Sequence, residues 1–496
     1  MSYTINGDNL TLDNLVVIAR ENVEVEADPE ALANMQEAHE IYMDALDTQE
    51  VYGGNVGVGK EKDRQIWENA NMLRTHAAVV SDEPYFDKQD ARAIMIARAN
   101  GLINAHTGGK PTVAMKLVEL LNKDVHPVIP QKGAVGLGDI NMLPYLGLVM
   151  IGEGSVIDNG NIVPSIDILK EKNIKPLAIE PGVELAVLSS NAVTGVGALV
   201  IYDLERLLNL GIAAYSLSLE AYHGHTDFLD PEIINLRKSG QRAVSERILD
   251  QLKGSYLLTA PERTKIQDEL SYRVFPSSMG SVLDAVAYAK DKLLNHLNSS
   301  DDNPHVSRSK KKVIPSANFV SYEWVIPYKA VFQALPEVAD SAVQIIKNFM
   351  YSEKTGLPDN LTLDENLGGL RSLPHTAAEL LHDIRALRGA FESDSITGLE
   401  RGIEDQAPYS LTAVLKSQEA IKHYRELLTV ALYTATQAWD LRRGREQSRT
   451  LGTGSQKLYD AVRSIVPAYP TDNDISLTPY TKQLSQAIGS GNLQAF

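Results

Sequence analysis

Apolar positions along the 496-residue chain recur mostly at three- and four-residue intervals, the spacing that gives a helix one dry face and one wet face. Asp28-Pro29 offers a capping side chain and a first-turn proline, and Leu32, Met35, Tyr42 and Leu46 follow at helical intervals. The same pattern sets Leu283, Val286, Leu293 and Leu297 on one face of segment 282–298, and Leu380, Ile384, Leu387 and Phe391 on one face of 376–391. From Leu411 to Arg443 the apolar positions Leu415, Ile421, Leu428, Leu432 and Trp439 run without a glycine or proline. That run predicts a helix on the order of 50 Å long at 1.5 Å rise per residue. Several such helices bury their stripes against one another, so a bundle is expected. Strand-like alternation is confined to short pieces, Ile162-Val163-Pro164 and Ala198-Leu199-Val200-Ile201. The expected class is mainly α, a long-helix bundle with a smaller mixed α/β amino-terminal part. With no repeat, low-complexity tract or long linker, residues 1–200 are assigned to the mixed part and 201–496 to the helical bundle, as one continuous body.

Composition narrows the classes. Hydrophobic residues make up 44% and charged residues 22%, and apolar stretches such as Met142 to Ile151 are too short to span a bilayer. The first residues, Met-Ser-Tyr-Thr-Ile-Asn-Gly-Asp, show no basic flank followed by an apolar segment. A soluble, cytoplasmic protein with no membrane partner is therefore expected. There are no cysteines, which removes disulfides, thiolate ligands and cysteine nucleophiles, so acid or base work falls to Tyr, His, Lys, Asp or Glu. A formal charge of -17 repels phosphate backbones and argues against a nucleic-acid partner. The basic cluster Arg308-Ser309-Lys310-Lys311-Lys312 reads as a solvated loop.

Candidate chemistry is scattered. Gly54-Asn55-Val56-Gly57-Val58-Gly59-Lys60 has the GxxxxGK spacing of a phosphate loop, but Glu61 follows where a magnesium-binding hydroxyl is needed. A mobile glycine-rich loop carrying Tyr52 is the better reading, since such a loop folds over a ligand and presents a phenol to a substrate proton. His223-Gly-His225 with Asp227 offers metal donors but no clear third and fourth ligand, so no metal is expected. Arg273 has the fork geometry suited to a substrate carboxylate. Glu404-Asp405 precedes the longest predicted helix, where carboxylates also favour the helix dipole. Taken alone, each has an ordinary structural explanation.

Together, and in order, these pieces resemble the histidine/phenylalanine ammonia-lyase superfamily from near the amino terminus to about residue 460. Val51-Tyr52-Gly53-Gly54-Asn55-Val56-Gly57-Val58-Gly59 is similar to that family's YGxNTGFG loop, and Leu73-Arg74-Thr75-His76 to its LxxSHA segment. Pro130-Gln131-Lys132-Gly133-Ala134-Val135-Gly136 resembles PxxGSVG, and Ile151-Gly152-Glu153-Gly154 matches IGEG. Asp230-Pro231, Gly240-Gln241, Gln267-Asp268 with Arg273, Asp302-Asn303-Pro304, Asn318-Phe319 and Glu404-Asp405 follow in the family's order. The resemblance implies the aromatic amino acid lyase fold, a homotetramer and a small carboxylated substrate. It also implies site roles: Tyr52 as acid or base, Arg273 as carboxylate anchor, Phe319 as a pocket wall, and His76, Asn303 and Glu404 as retained site positions.

The departures concern the chemistry itself. The family builds a methylidene-imidazolone electrophile from an internal Ala-Ser-Gly, whereas Gly133-Ala134-Val135-Gly136-Leu137-Gly138-Asp139 is one residue shorter than GSVGASGD and has no serine. No serine occurs from Asp82 to Gly154, so no shift of register restores one. Ser189 stands where a pocket asparagine is expected, Leu270 where a catalytic tyrosine stands, with Tyr272 as its candidate replacement, and Tyr322 follows the Asn-Phe pair. No cofactor is expected. Without the electrophile a substrate must already carry a good leaving group, as in the resembling ergothionases, which expel trimethylamine from a betaine. A tyrosine titrating near about 10 needs a neighbouring cation to act as a base, for which Lys60 is the candidate. The reading is an electrophile-independent carbon–nitrogen lyase performing a 1,2-elimination or related addition on a small carboxylated amino acid or betaine. The alternative is a non-catalytic or regulatory relative that keeps the fold and oligomer.

Overall fold

Asp28 caps the helix Pro29–Thr48 through its side chain, which accepts the Ala31 N–H at 2.9 Å, and Pro29 occupies the first turn. The face bearing Ala38, Ile41, Tyr42 and Ala45 packs with Val51 and Val306 into one apolar cluster. The computed structural model describes residues 2–65, 71–81, 83–259, 265–392 and 398–493. Helices dominate, and the strands are short: Ser2–Ile5 pairs in parallel with Glu24–Ala27, while Ser155–Asp158 with Asn161–Pro164 and His305–Ser307 with Lys312–Ile314 form antiparallel hairpins.

The longest predicted helix is observed as Ser410–Arg445, 36 residues. Segments 282–298 and 376–391 fall in the helix Phe275–Leu297 and in Leu373–Ala386 with the following 3-10 turn Leu387–Phe391. Ala198 to Ile201, expected as a strand, instead lies inside the helix Asn191–Tyr222. Those four side chains are at most 2% exposed, and a helix dry on every side shows no period to read. A window of the segment Val183–Tyr222 is also long and apolar enough to cross a membrane, with mean hydropathy 1.7, and 83% of it is buried within the protein. That apolar character serves the core.

The chain forms two compact units, each assembled from three segments. The first comprises Met1–Tyr202, Ala289–Lys329 and Glu392–Lys416. Within it, Val414, Leu293 and Trp324 pack against the 191–222 helix around Gly197, where a β-carbon would meet them at 3.4–3.5 Å, an ordinary contact. The second comprises Asp203–Tyr288, Ala330–Phe391 and Ser417–Phe496. At its centre the buried Arg442 guanidinium donates to the carbonyls of Ala221, Tyr222 and Thr355, and buried Glu220 accepts the Gly452 N–H at 2.7 Å. The Arg308–Lys312 cluster is the turn of the 305–314 hairpin, where Arg308 donates to Asn34 at 2.7 Å and Lys311 pairs with Glu37.

Candidate active site

Tyr52 sits on a loop fastened to the end of the preceding helix. Asn55 Nδ2 donates to the carbonyls of Leu46 and Gln49 and its Oδ1 accepts the Val51 N–H. The loop then doubles back, the Gly57 N–H meeting the Arg64 carbonyl at 2.9 Å. At its tip Gly59 takes φ +57, a left-handed conformation that costs glycine little, and its N–H donates to the Tyr52 phenol oxygen at 3.0 Å.

Facing it is a second loop, 398–406. Leu399 and Glu404 exchange backbone hydrogen bonds across a tight turn in which Glu400 and Arg401 hold φ of 47 and 60, left-handed values that are uncommon outside glycine. Glu400 Oε2 accepts the Lys60 N–H at 3.2 Å.

The segment 133–139 adds a third side. Gly136 has φ +88, and a β-carbon there would lie 2.7 Å from Pro408 Cγ, so its backbone is shaped for glycine and not for alanine. Leu137 pairs with Val320 and is 6% exposed. Ser190 ties this segment to the next wall, its hydroxyl accepting the Gly138 N–H at 2.8 Å and donating to the Phe319 carbonyl.

These elements enclose a cavity of about 1270 Å³ whose lining lies wholly in the first unit. Of the positions singled out from sequence, Tyr52, His76, Ser189, Asn303, Phe319, Tyr322 and Glu404 all line it. Ser189 is buried and bonded to Asn191, Asn303 Oδ1 accepts the Ser316 N–H at 2.9 Å, and Tyr322 opens the helix Tyr322–Asn348. His76 Nδ1 lies 2.9 Å from the Met72 carbonyl. A carbonyl only accepts, so Nδ1 carries a proton and Nε2 is the nitrogen left for a ligand.

Burial pushes the Tyr52 phenol above its ordinary range, the Gly59 N–H opposes this, and Glu404 and Glu400 push it further up. Burial also raises Glu404, with Glu400 adding to the rise and His76 opposing it. The lining carries Glu61, Asp301, Glu400, Glu404 and Asp405 against Lys62 and Arg64. Both cations are already committed, Arg64 to Glu61 and Lys62 to Asp63, each at 2.6 Å. Glu400, Glu404 and Asp405 have no ion-pair partner among the described residues, so the cavity favours positive charge.

Behind the lining lies a buried polar network that sequence reading missed. Arg98, 0% exposed, donates to the Ala186 carbonyl at 2.8 and 2.6 Å and to Asp302 at 2.7 Å, with Asp301 3.6 Å away. Asp301 accepts the Ser190 N–H at 2.6 Å, and burial together with Asp302 pushes its carboxyl up. Among the described residues the Asp139 carboxyl accepts the Val193 N–H alone, at 3.3 Å, and burial pushes it up to about 8. Glu400 was missed as well; its only trace in the sequence is that it stands between Gly398 and Gly402, four residues before Glu404.

Three expectations change. The Lys60 side chain is exposed and does not line the cavity; its backbone N–H, rather than its ammonium, takes part in the site. Tyr272 cannot stand in for the tyrosine missing at Leu270, because its ring is 0% exposed and stacked on Tyr222 in the core of the second unit, while Leu270 is 62% exposed. The phenol turns inward because the short helix Leu270–Arg273 sets the two residues on different faces. Arg273 also belongs to the second unit, where its Nε donates to the Asp268 carbonyl at 2.9 Å. His223 stacks on Tyr256, burial lowers it to about 4, and among the described residues no group of three or more side chains is placed to hold a metal ion.

Known proteins share this architecture. The aromatic amino acid lyase family model matches residues 10–464. The histidine ammonia-lyase of Alkaliphilus metalliredigens is 31% identical over 476 residues, covering 93% of this chain and 92% of that protein. The ergothionase of Treponema denticola, an ergothioneine-degrading enzyme, superimposes with a TM-score of 0.91 at 28% identity over 99% of each chain. The histidine ammonia-lyase of Trypanosoma cruzi shares the fold, with a TM-score of 0.88 at 23% identity over 99% of this chain and 94% of that one. With its helical architecture, its Tyr52 loop and this match over most of its length, the chain belongs to the aromatic amino acid lyase family.

Proposed function

We propose that the chain is a carbon–nitrogen lyase that works without the methylidene-imidazolone electrophile, on a small carboxylated substrate whose leaving group is a quaternary amine. The observation that carries this reading is Leu137, an aliphatic side chain lining the cavity between two glycines. Forming the electrophile requires a side chain that can lose water, and leucine has none. The neighbouring Gly136 backbone leaves no room for the β-carbon of an alanine. The residues present therefore do not fit the prosthetic group.

The carboxylates that lack an ion-pair partner among the described residues support the choice of leaving group. A trimethylammonium group is a permanent cation that donates no hydrogen bond, and Glu400, Glu404 and Asp405 supply charge for it. In the reaction a base takes the β-proton, the C–H electron pair becomes the Cα=Cβ bond, and the C–N pair departs with neutral trimethylamine. Tyr52 is the base in this reading. Its raised proton affinity keeps it neutral at rest, and a bound cation offsets Glu400 and Glu404 and draws it toward phenolate. Arg273, which the resemblance implies as the carboxylate anchor, lies in the second unit outside this lining and takes no part in this step.

The test is a screen of the purified protein against histidine, phenylalanine and tyrosine and against their trimethyl betaines. Growth of the ultraviolet absorbance of the conjugated acid is followed together with amine release. Trimethylamine from a betaine, with no ammonia from the parent amino acids, is expected. Ammonia release from any unmodified amino acid at a comparable rate overturns the proposal.

A further inference from the structure

The two loops at the cavity meet through an arrangement with a function of its own. Gly59 N–H is aimed at the Tyr52 oxygen at 3.0 Å, and in the next residue the Lys60 N–H is aimed at Glu400 Oε2 at 3.2 Å. Consecutive peptide groups of one turn thus bond the phenol on one side and the carboxylate on the other. A β-carbon on Gly59 would sit 2.9 Å from Glu400 Oε2, so the carboxylate rests directly on the turn. The loop that carries Glu400 holds it there with two consecutive non-glycine residues in left-handed conformations. Such strain persists only where the surroundings over-determine it, commonly at functional sites.

We propose that Glu400 is a positioning residue: by gripping the Lys60 N–H it holds the Gly59 N–H on the Tyr52 oxygen. This rests on the reading of Tyr52 as the base. Glu400 acts on Tyr52 in two opposed ways. Its charge disfavours the phenolate, while its grip maintains a hydrogen bond that favours the phenolate, and the hydrogen bond is the larger of the two influences. Other charged or titratable groups on the same cavity are Glu404 and Asp405 on the Glu400 loop, Glu61, Lys62 and Arg64 on the Tyr52 loop, His76 on the helix Met72–His76, and Asp301. Of these, only Glu404 adds to the effect of Glu400 on the phenol. All are common to the variants compared below.

Three substitutions separate charge from grip. Glu400→Gln keeps an acceptor oxygen and removes the charge, so Tyr52 titrates at lower pH. Glu400→Asp keeps the charge but withdraws the oxygen from Lys60, so Tyr52 titrates at higher pH. Glu400→Ala loses both, and because the grip outweighs the charge, Tyr52 also titrates at higher pH. Tyr52 is read by subtracting the tyrosinate absorbance titration of the matching Tyr52→Phe protein, which requires no substrate. On an active betaine the acid limb of the kcat profile moves in the same directions, and Glu400→Ala lowers kcat at neutral pH on the order of tenfold, the kinetic equivalent of one hydrogen bond. Downward movement in Asp or Ala, or no movement in any variant, overturns the inference. A merely structural role lowers thermal stability and leaves the titration where it was. If the titrations move as expected while no betaine turns over, the positioning role stands and the proposed reaction falls.

Discussion

Replacing Asp139 by Asn gives a stabilisation that grows with pH. Asp139 is 1% exposed, accepts one N–H at 3.3 Å, and has no partner for Oδ1 among the described residues. Burial raises its carboxyl from 3.8 to about 8, so below that value the folded protein keeps a proton that the unfolded chain has released. Stability is therefore fully present below the unfolded value, declines as pH rises, and is lost once pH passes about 8. Over the full interval the loss is on the order of 5 kcal/mol. Asparagine has nearly the shape of the protonated acid, never charges, and tolerates the φ of 45 found here. The difference in Tm between the Asp139→Asn protein and wild type is therefore small near pH 4, widens toward pH 8 and then levels off. For a chain of this length about 1 kcal/mol corresponds to about 1 °C, so the plateau is on the order of 5 °C. Thermal melts of both proteins by circular dichroism across that pH range provide the assay. Working with the difference removes the contribution of Glu220, which burial raises to about 7 and which acts with the same sign in both proteins. A difference that is constant with pH, or that shrinks as pH rises, refutes the reasoning.

Two other substitutions follow from the site. Tyr52→Phe keeps the ring and deletes the ionisable oxygen, so turnover on the best betaine falls on the order of a thousandfold with little change in binding, and near-normal kcat removes Tyr52 from the mechanism. Arg98→Leu strands Asp301, Asp302 and the Ala186 carbonyl in the interior, so the cost is about 3–5 kcal/mol. Differential scanning calorimetry reads it, and an unchanged Tm contradicts the assigned network.

The amphipathic helices were legible because a half-wet surface writes its period into the chain, as at Asp28-Pro29 and along 411–443. The stretch 191–201 of the helix Asn191–Tyr222 was not, since immersion on all sides erases the period that marks it. Residues of the cavity lining were legible where a motif travels as a block, as with Tyr52, His76 and Glu404. Glu400 and Arg98 act through contacts with distant segments, Lys60 in one case and Ala186 with Asp302 in the other, and nothing adjacent in the sequence announces such partners. Tyr272 misled for a related reason: a residue two positions from a vacancy points elsewhere on a helix.

The hydrogen bond between Lys60 and Glu400 spans 340 residues, and this bears on how the enzyme comes into being. A ribosome must extend the chain past residue 406 before the last wall of the cavity exists, whereas helices such as Pro29–Thr48 need only their own neighbours. Local contacts form early, and distant ones wait on loop closure. Chains released before that point lack the Glu400 loop and the helix Ser410–Arg445 together, so the Tyr52 loop has no opposing wall and neither unit has all its segments.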